Sequence, residues 1–424
     1  MFNETVMEKS IISEQVDRVY KALLSDSKVK EGLSFLREDN DNTTEEQIEL
    51  TNIEAPTFME DNRGRYYKDK LEKLGIRDIV VDEVGNVFGI RPGCGDGPKL
   101  VVCAHLDTVF PDGTDTKAKR IDGKVYAPGI ADDGRGLAVV LSLTRALNRT
   151  NIQTAGDLII GATVGEEGLG DLRGVKALFM NRKDIDGFIS IEPGEANRIT
   201  FLGTGSKRYK VTYQGPGGHS FGDFGTPSPI HAMGRAITRI ANIETPTDPK
   251  TTFNVGVING GTSVNTIAEK GEMLVDIRSN AQDELVKLEQ RLLNILHQAV
   301  EEENMRWAKS NDITVNIEQV GDRPAGSQSP NSIIVQASAA ATSALGFEPF
   351  LTAAVSTDSN IPIYLGIPAV TLGGGGDSGG YHTLNEFYDP KDAYFGVQKL
   401  FLTVLGLVGI ENVVEPLLTK RTNS

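Results

Sequence analysis

The sequence predicts an α/β protein in two domains: a mostly parallel sheet with helices on both faces, interrupted by a smaller α+β insertion. Three observations predict it. The 424 residues exceed what one hydrophobic core usually serves, so two domains are the starting expectation. Short apolar runs in both flanks alternate with segments of helical period, as parallel strands joined by helices do. The middle of the chain instead reads strand, helix, strand, strand, helix, strand.

The opening stretch to about Leu74 is expected to be helical, since Val16-Val19-Ala22-Leu23 and Tyr66-Tyr67-Leu71-Leu74 recur at helical spacing. Leu100 to Ala104 follows as a short buried strand, Gly136 to Leu147 as a helix, and Leu158 to Thr163 as a second strand. Phe188 to Ile191 and Ala369 to Leu372 complete the set. In the middle, Tyr209 to Tyr213 alternates as a half-buried strand does. Pro229 to Ile240 is a helix with Ile230, Met233, Ile237 and Ile240 on one stripe. Strands at Thr252 to Ile258 and Glu272 to Arg278 precede a long helix from Asp283 to about Trp307, and Ile313-Val315-Ile317 alternates again. That order is the ferredoxin-like one. The expected division is therefore 1–206 plus 325–424 for the outer domain and 207–324 for the insertion. Only the last few residues are expected to lack structure.

Composition excludes several classes of function. A net charge of −15 argues against nucleic acid, which needs a basic surface. No apolar stretch is long enough to cross a bilayer, so no membrane is expected. Met1 to Tyr20 is acidic and polar, unlike a secretion signal. Two cysteines, Cys94 and Cys103, cannot make a disulfide framework, and the expected compartment is the reducing cytoplasm.

The chemistry gathers after the outer strands. His105 and Asp107 follow the first, Asp132-Asp133 precedes the helix, Glu166-Glu167 follows the next strand, and Glu192 and His382 follow the last two. In open α/β sheets that carboxyl edge is where ligands bind. Two histidines and several carboxylates there suit zinc, which takes nitrogen and oxygen ligands and leaves room for water. Each piece alone has a plainer reading. Asp-Asp-Gly is commonly a turn, with Asp133 equally placed to cap the helix, and Glu-Glu is commonly a solvated pair. The Gly373 to Gly376 run lacks the Gly-Lys-Ser/Thr of a phosphate cradle. Their joint occurrence at successive strand ends outweighs these readings.

The ordered motifs Cys-Ala-His105-Leu-Asp107-Thr-Val, Gly-Ile-Ala-Asp132-Asp133-Gly, Gly-Glu166-Glu167-Gly and Ile-Glu192-Pro resemble those of the zinc-dependent exopeptidase and aminoacylase family. Gly-Pro-Gly-Gly-His219-Ser and Tyr-His382-Thr-Leu-Asn-Glu386 continue the match. That family includes glutamate carboxypeptidase, tripeptidase T, acetylornithine deacetylase and succinyl-diaminopimelate desuccinylase. The resemblance implies a catalytic domain and an inserted lid through which two copies pair as a homodimer. It also implies two zinc ions per subunit, with Co2+ or Mn2+ as substitutes. Asp132 would bridge them, His105 and Glu192 would complete one site, and Glu167 and His382 the other. Asp107 would orient His105, and Glu166 would act as general base.

In the lid, the resemblance makes His219 the group that steadies the developing oxyanion and Asn265 a substrate contact. Arg278 in Asp-Ile-Arg-Ser and Arg323 in Asp-Arg-Pro-Ala are candidates to grip a substrate carboxylate, where a planar fork suits two oxygens; a surface ion pair is the alternative for each. His231 and His297 are expected to be structural, and Cys103 a buried small residue. The chain departs from the family at Gly134-Arg135 and at Ala268, where proline is usual. The implied function is hydrolysis of small peptides by a dipeptidase, tripeptidase or carboxypeptidase. An N-acyl-amino-acid amidohydrolase is the runner-up, and an inactive peptide- or metal-binding module is the reading from another class. The presence of Glu166 with every ligand argues against the last.

Overall fold

Four helices, Glu14–Ser25, Ser27–Glu38, Asn40–Thr51 and Asp61–Lys73, open the computed structural model, which describes residues 12–308 and 312–421. The expected unstructured last residues lie outside that range. Ser13 caps the first helix by accepting from the Val16 amide. Asp26 ends that helix and starts the next, its carboxylate taking the Lys28 and Val29 amides. The sequence divides into two compact units: one runs to Leu202 and resumes at Ser327, and the other is Gly203–Gly326.

The first unit is built on an eight-stranded sheet. Its four central strands, Asp157–Thr163, Lys99–His105, Gly187–Glu192 and Ala369–Gly373, are those expected from the apolar runs, and they pair in parallel. Antiparallel pairings extend the sheet on one side to Val87–Arg91 and Arg77–Val81, and on the other to Arg198–Thr200. Alternation splits the residues of Lys99–His105 between two cores. Leu100, Val102 and Ala104 pack with the helices Gly134–Arg149, Ile333–Ala344 and Tyr394–Val408. Val101 and Cys103 pack with Arg173–Asn181 and Asn360–Tyr364 on the other face. A small antiparallel sheet, Asp377–Gly379, Phe387–Asp389, Lys124–Tyr126 and Lys119–Ile121, was not expected. Its strands are three residues long and partly polar, too short to show a period.

One helix of this unit carries an unusual group. Lys399 is fully buried, its Nζ donating to the Arg198 carbonyl at 2.9 Å. Burial, with the Arg198 charge adding to it, pushes its pKa down to about 7. A lysine depressed in the folded state leaves the native chain with fewer protons than the unfolded one between about pH 7 and the ordinary lysine range. Stability therefore rises with pH across that window, and below it the cost of the buried charge is felt in full. Lys399→Met is expected to stabilise the protein by about 1–3 kcal/mol at pH 6 and to flatten this slope. Urea unfolding at pH 6 and pH 9.5 checks both.

In the second unit, the strands lie in the order Thr251–Gly260, Lys270–Ser279, Gly205–Gln214, Thr314–Arg323, all antiparallel. The helices Pro229–Ala241 and Gln282–Arg306 share one core with them, around Val211, Tyr213, Ala236, Met273, Val275 and Leu292. This is the expected ferredoxin-like order. A further two-residue ladder joins Gly218–His219 to Thr266–Ile267. The ends of the unit are tied together: the Gly203 amide donates to the Gly326 carbonyl at 2.8 Å and the Gly326 amide returns the bond at 3.0 Å. Among the described residues, no helix is long and apolar enough to cross a membrane.

Candidate metal centre

The expected cluster forms in the first unit. His105 and Glu192 are the last residues of their strands, Glu166 and Glu167 follow the strand Asp157–Thr163, and Asp132 precedes the helix Gly134–Arg149. His382 comes from the loop between two strands of the small sheet, in the left-handed region at φ 59°. The two oxygens of Asp132 face different histidines: Oδ1 lies 3.0 Å from His105 Nε2, and Oδ2 lies 3.3 Å from His382 Nε2. Glu192 approaches His105 Nε2 at 4.0 Å, and Glu167 approaches His382 Nε2 at 3.1 Å. Two three-residue groups thus share Asp132: His105, Asp132 and Glu192 on one side, and Asp132, Glu167 and His382 on the other. Glu166 groups with His105 and Glu167.

These separations suit zinc ligands. Atoms about 2.0–2.2 Å from one tetrahedral ion lie roughly 3.3–3.6 Å from each other. The electrostatics suit a cation as well. Burial pushes the Glu192 carboxyl well up, and its Oε1 is buried without a partner. Burial also works against Asp132, but the two histidines hold it below the usual carboxylate range. Asp132 and Glu167 in turn lift His382 to about 10. Four carboxylates around two histidines leave an excess of buried acid, and an orphan oxygen among them is what a bound cation would satisfy.

The surrounding residues set the geometry. Asp133 is the helix cap: Oδ1 accepts from the Gly136 amide at 3.0 Å and Oδ2 from the His105 amide at 3.1 Å. That leaves its neighbour Asp132 to face the histidines. Asp107 is fully buried. His105 Nδ1 lies closer to its backbone carbonyl, at 3.0 Å, than to its carboxylate, at 3.5 Å. The carboxylate is engaged elsewhere, taking the amides of Glu166 at 2.9 Å and Glu167 at 3.0 Å and the Thr57 hydroxyl at 2.9 Å. It therefore sets the direction in which the glutamate pair leaves the strand.

Two residues had no role in the sequence reading: Glu386, quoted there only within its motif, and Arg63. Glu386, fully buried, accepts the Ala131 and Asp132 amides at 2.8 and 2.9 Å on one oxygen and the Gly129 amide at 3.1 Å on the other. It clamps the loop that carries Asp132 to the segment that carries His382. Its only signal was the acid four positions after His382. Arg63 is fully buried and donates to the Leu106 carbonyl at 2.8 Å, between His105 and Asp107. The departure at Arg135 proves structural: its guanidinium donates to the Gly374 and Ala393 carbonyls, both at 2.9 Å. The glycine run is close-packed, a Cβ on Gly373 falling 2.2 Å from the Glu195 carbonyl. Cys103 is buried, and burial raises its thiol pKa.

The remaining candidates lie in the second unit. The short ladder sets His219 opposite Thr266, and the Ser220 amide donates to the Asn265 carbonyl at 3.0 Å, so these two candidates come together. His219 Nδ1 accepts the Phe221 and Gly222 amides at 3.2 Å, which assigns its proton to the exposed Nε2. A cavity of about 450 Å³ opens alongside, lined by Gly218, Asn259 to Thr262, Thr266 and Ile267. Arg278 takes the ion-pair alternative, Nε lying 2.7 Å from Asp276, so a substrate carboxylate would have to compete with that partner. Arg323 is buried at the end of its strand. His231 is exposed, 3.5 Å from the buried Glu303, and His297 is exposed on its helix.

Residues 101–405 match the model described as peptidase family M20/M25/M40. The chain is 31% identical over 161 residues to a Pyrococcus abyssi protein named as a LysW-lysine/LysW-ornithine hydrolase, covering 37% of this chain and 42% of that one. It is 28% identical over 243 residues to carboxypeptidase G2 of Pseudomonas sp. RS-16, covering 54% of this chain and 58% of that one. The matches thus span about half the length of these two relatives. A solved tripeptidase from Staphylococcus aureus Mu50 superimposes with a TM-score of 0.73 at 23% identity, covering 86% of this chain and 97% of that one, which establishes the shared fold.

Proposed function

The chain belongs to peptidase family M20/M25/M40; on that premise we propose that it is a metal-dependent hydrolase that cleaves the amide bond of small peptides with two zinc ions. The observation that carries this is Asp132, one carboxylate whose two oxygens face two separate histidine groups. His105, Asp132 and Glu192 would hold one ion, and Asp132, Glu167 and His382 the other. Bound there, the pair would supply an activated water and polarise the scissile carbonyl. The protein's own contribution is proton movement and positioning. A Glu166 carboxylate oxygen takes a proton from the attacking water and hands it to the departing amine nitrogen. Asp107 holds Glu166 in place through its backbone amide. His219, with its proton on Nε2, has the donor that an oxyanion needs.

The test is mass-spectrometric product analysis on di- and tripeptides with free or blocked termini, beside N-acetyl and N-succinyl amino acids, with a chelator control. Cleavage of free peptides that is lost with chelator supports the reading. Cleavage of the acyl amino acids alone would move the chain to the amidohydrolases, and no turnover would favour a binding module. The unpaired cysteines suit a reducing cytoplasm.

The second unit would serve as lid and as dimer surface. Among the described residues, its edge strand Thr251–Gly260 pairs on one side only and leaves Val257 and Ile258 exposed, at 52% and 62%; such an edge is a template for a second copy. The protein is expected to sediment as a dimer at micromolar concentration, and Val257→Lys to shift it toward monomer. A wild-type monomer would refute this.

A further inference from the structure

Building on the proposed peptidase reading, we propose that Phe58, with Leu169 on the neighbouring turn, forms an apolar wall that receives an apolar substrate side chain beside the Glu166–Glu167 pair. A single exposed apolar residue ordinarily needs no explanation. Phe58 differs in three ways.

Its backbone lies in the left-handed region at φ 75°, where a bulky side chain is disfavoured. Such conformations persist when the surroundings enforce them, and they gather at ligand sites. Here the enforcement is visible. The Phe58 amide donates to Glu60 Oε1 at 3.1 Å. The other oxygen of the buried Glu60 pairs with Arg173 at 2.7 Å. The Arg173 guanidinium stacks 4.8 Å from the centre of the Phe58 ring. The ring is fixed by its neighbours yet remains 62% exposed.

The loop is also fastened to the catalytic segment. The next residue back, Thr57, donates its hydroxyl to Asp107, the carboxylate that holds the Glu166 and Glu167 amides. Arg173 lies against Gly165, immediately before Glu166: a Cβ on that glycine would fall 2.0 Å from its Nη1. Leu169, two residues after Glu167, is likewise 62% exposed. Its turn packs on the same loop, a Cβ at Gly170 falling 2.7 Å from the Thr57 methyl. Two large apolar side chains are therefore held in solvent on the two segments that adjoin the proposed general base. A side chain flanking the scissile bond has an apolar surface to cover on that side, and a charged or very small one gains nothing there.

The experiment separates this inference from the peptidase reading by measuring binding as well as turnover. Calorimetry on the zinc-loaded protein would compare L-phenylalanine, L-leucine and glycine as product ligands, for wild type, Phe58→Ala and Leu169→Ala. Wild type is expected to prefer phenylalanine over glycine by about tenfold, the scale of one well-covered apolar group. Phe58→Ala should shrink that ratio to about twofold or less while leaving glycine binding and Tm unchanged. A wild-type ratio near one, including no binding of either, overturns the proposal. So does a Phe58→Ala variant that weakens all three ligands equally and loses Tm, because the ring would then be structural. Assaying Phe-, Leu- and Gly-containing tripeptides alongside tests the peptidase reading by itself: that reading fails if none is cleaved, whatever the calorimetry shows.

Discussion

Glu166→Gln is expected to lower kcat by about a thousandfold or more while both metal ions stay bound. Removing a general base typically costs 10²–10⁴-fold. Glutamine keeps the size of the side chain and the backbone amide that Asp107 holds, so the loss would isolate the proton transfer. The geometry makes the metal count decisive. Glu166 is absent from the two groups that share Asp132, but it lies within ligand range of His105 and Glu167. Elemental analysis of the purified variant reads this directly. Two ions with turnover gone support the base, whereas loss of one ion would make Glu166 a ligand and leave the base unassigned.

Glu386→Gln is expected to weaken metal binding by about 10–100-fold, the usual effect of removing a group that orients a ligand. The carboxylate accepts three backbone amides. An amide side chain has only one acceptor oxygen, and its NH2 would face a second donor. At least one buried N–H then loses its partner, at about 1–3 kcal/mol, in the loop that carries Asp132. Competition with a chromogenic chelator measures the affinity, and far-UV circular dichroism checks that the fold persists. Unchanged metal affinity beside a lowered Tm would restrict Glu386 to holding the fold together.

How much of this was legible in the sequence depended on what leaves a pattern. The four central strands and the order of the insertion were readable because each strand is an apolar run or an alternation of several residues. The edge strand Arg77–Val81 was not, since it is largely exposed on both faces, and Arg198–Thr200 is too short to show a period. His105, Asp132, Glu167, Glu192 and His382 could be named because they follow apolar runs in motifs of known order. Spacing alone does not divide the labour between Asp132 and Asp133, since either fits Asp-Asp-Gly; the resemblance gave the bridge to Asp132, and the Gly136 and His105 amides engage Asp133 as the cap. Asp107 and Glu386 illustrate a further limit. Their partners are backbone amides, present at nearly every residue, so nothing in the spacing announces which will converge. Phe58 is invisible for a related reason: a left-handed φ at a non-glycine position is imposed by Glu60 and Arg173, not by its own side chain.

The mutual bonds between Gly203 and Gly326 bear on how this architecture arises and can be altered. Because the insertion begins and ends at one pair of hydrogen-bonded residues, the chain leaves and rejoins the host domain at nearly the same point. The two crossings behave as the neck of a loop, so the inserted module can lengthen, shorten or be exchanged without changing the order of the host strands. A module joined in this way can diverge quickly while the host stays fixed, which gives one scaffold a replaceable cassette.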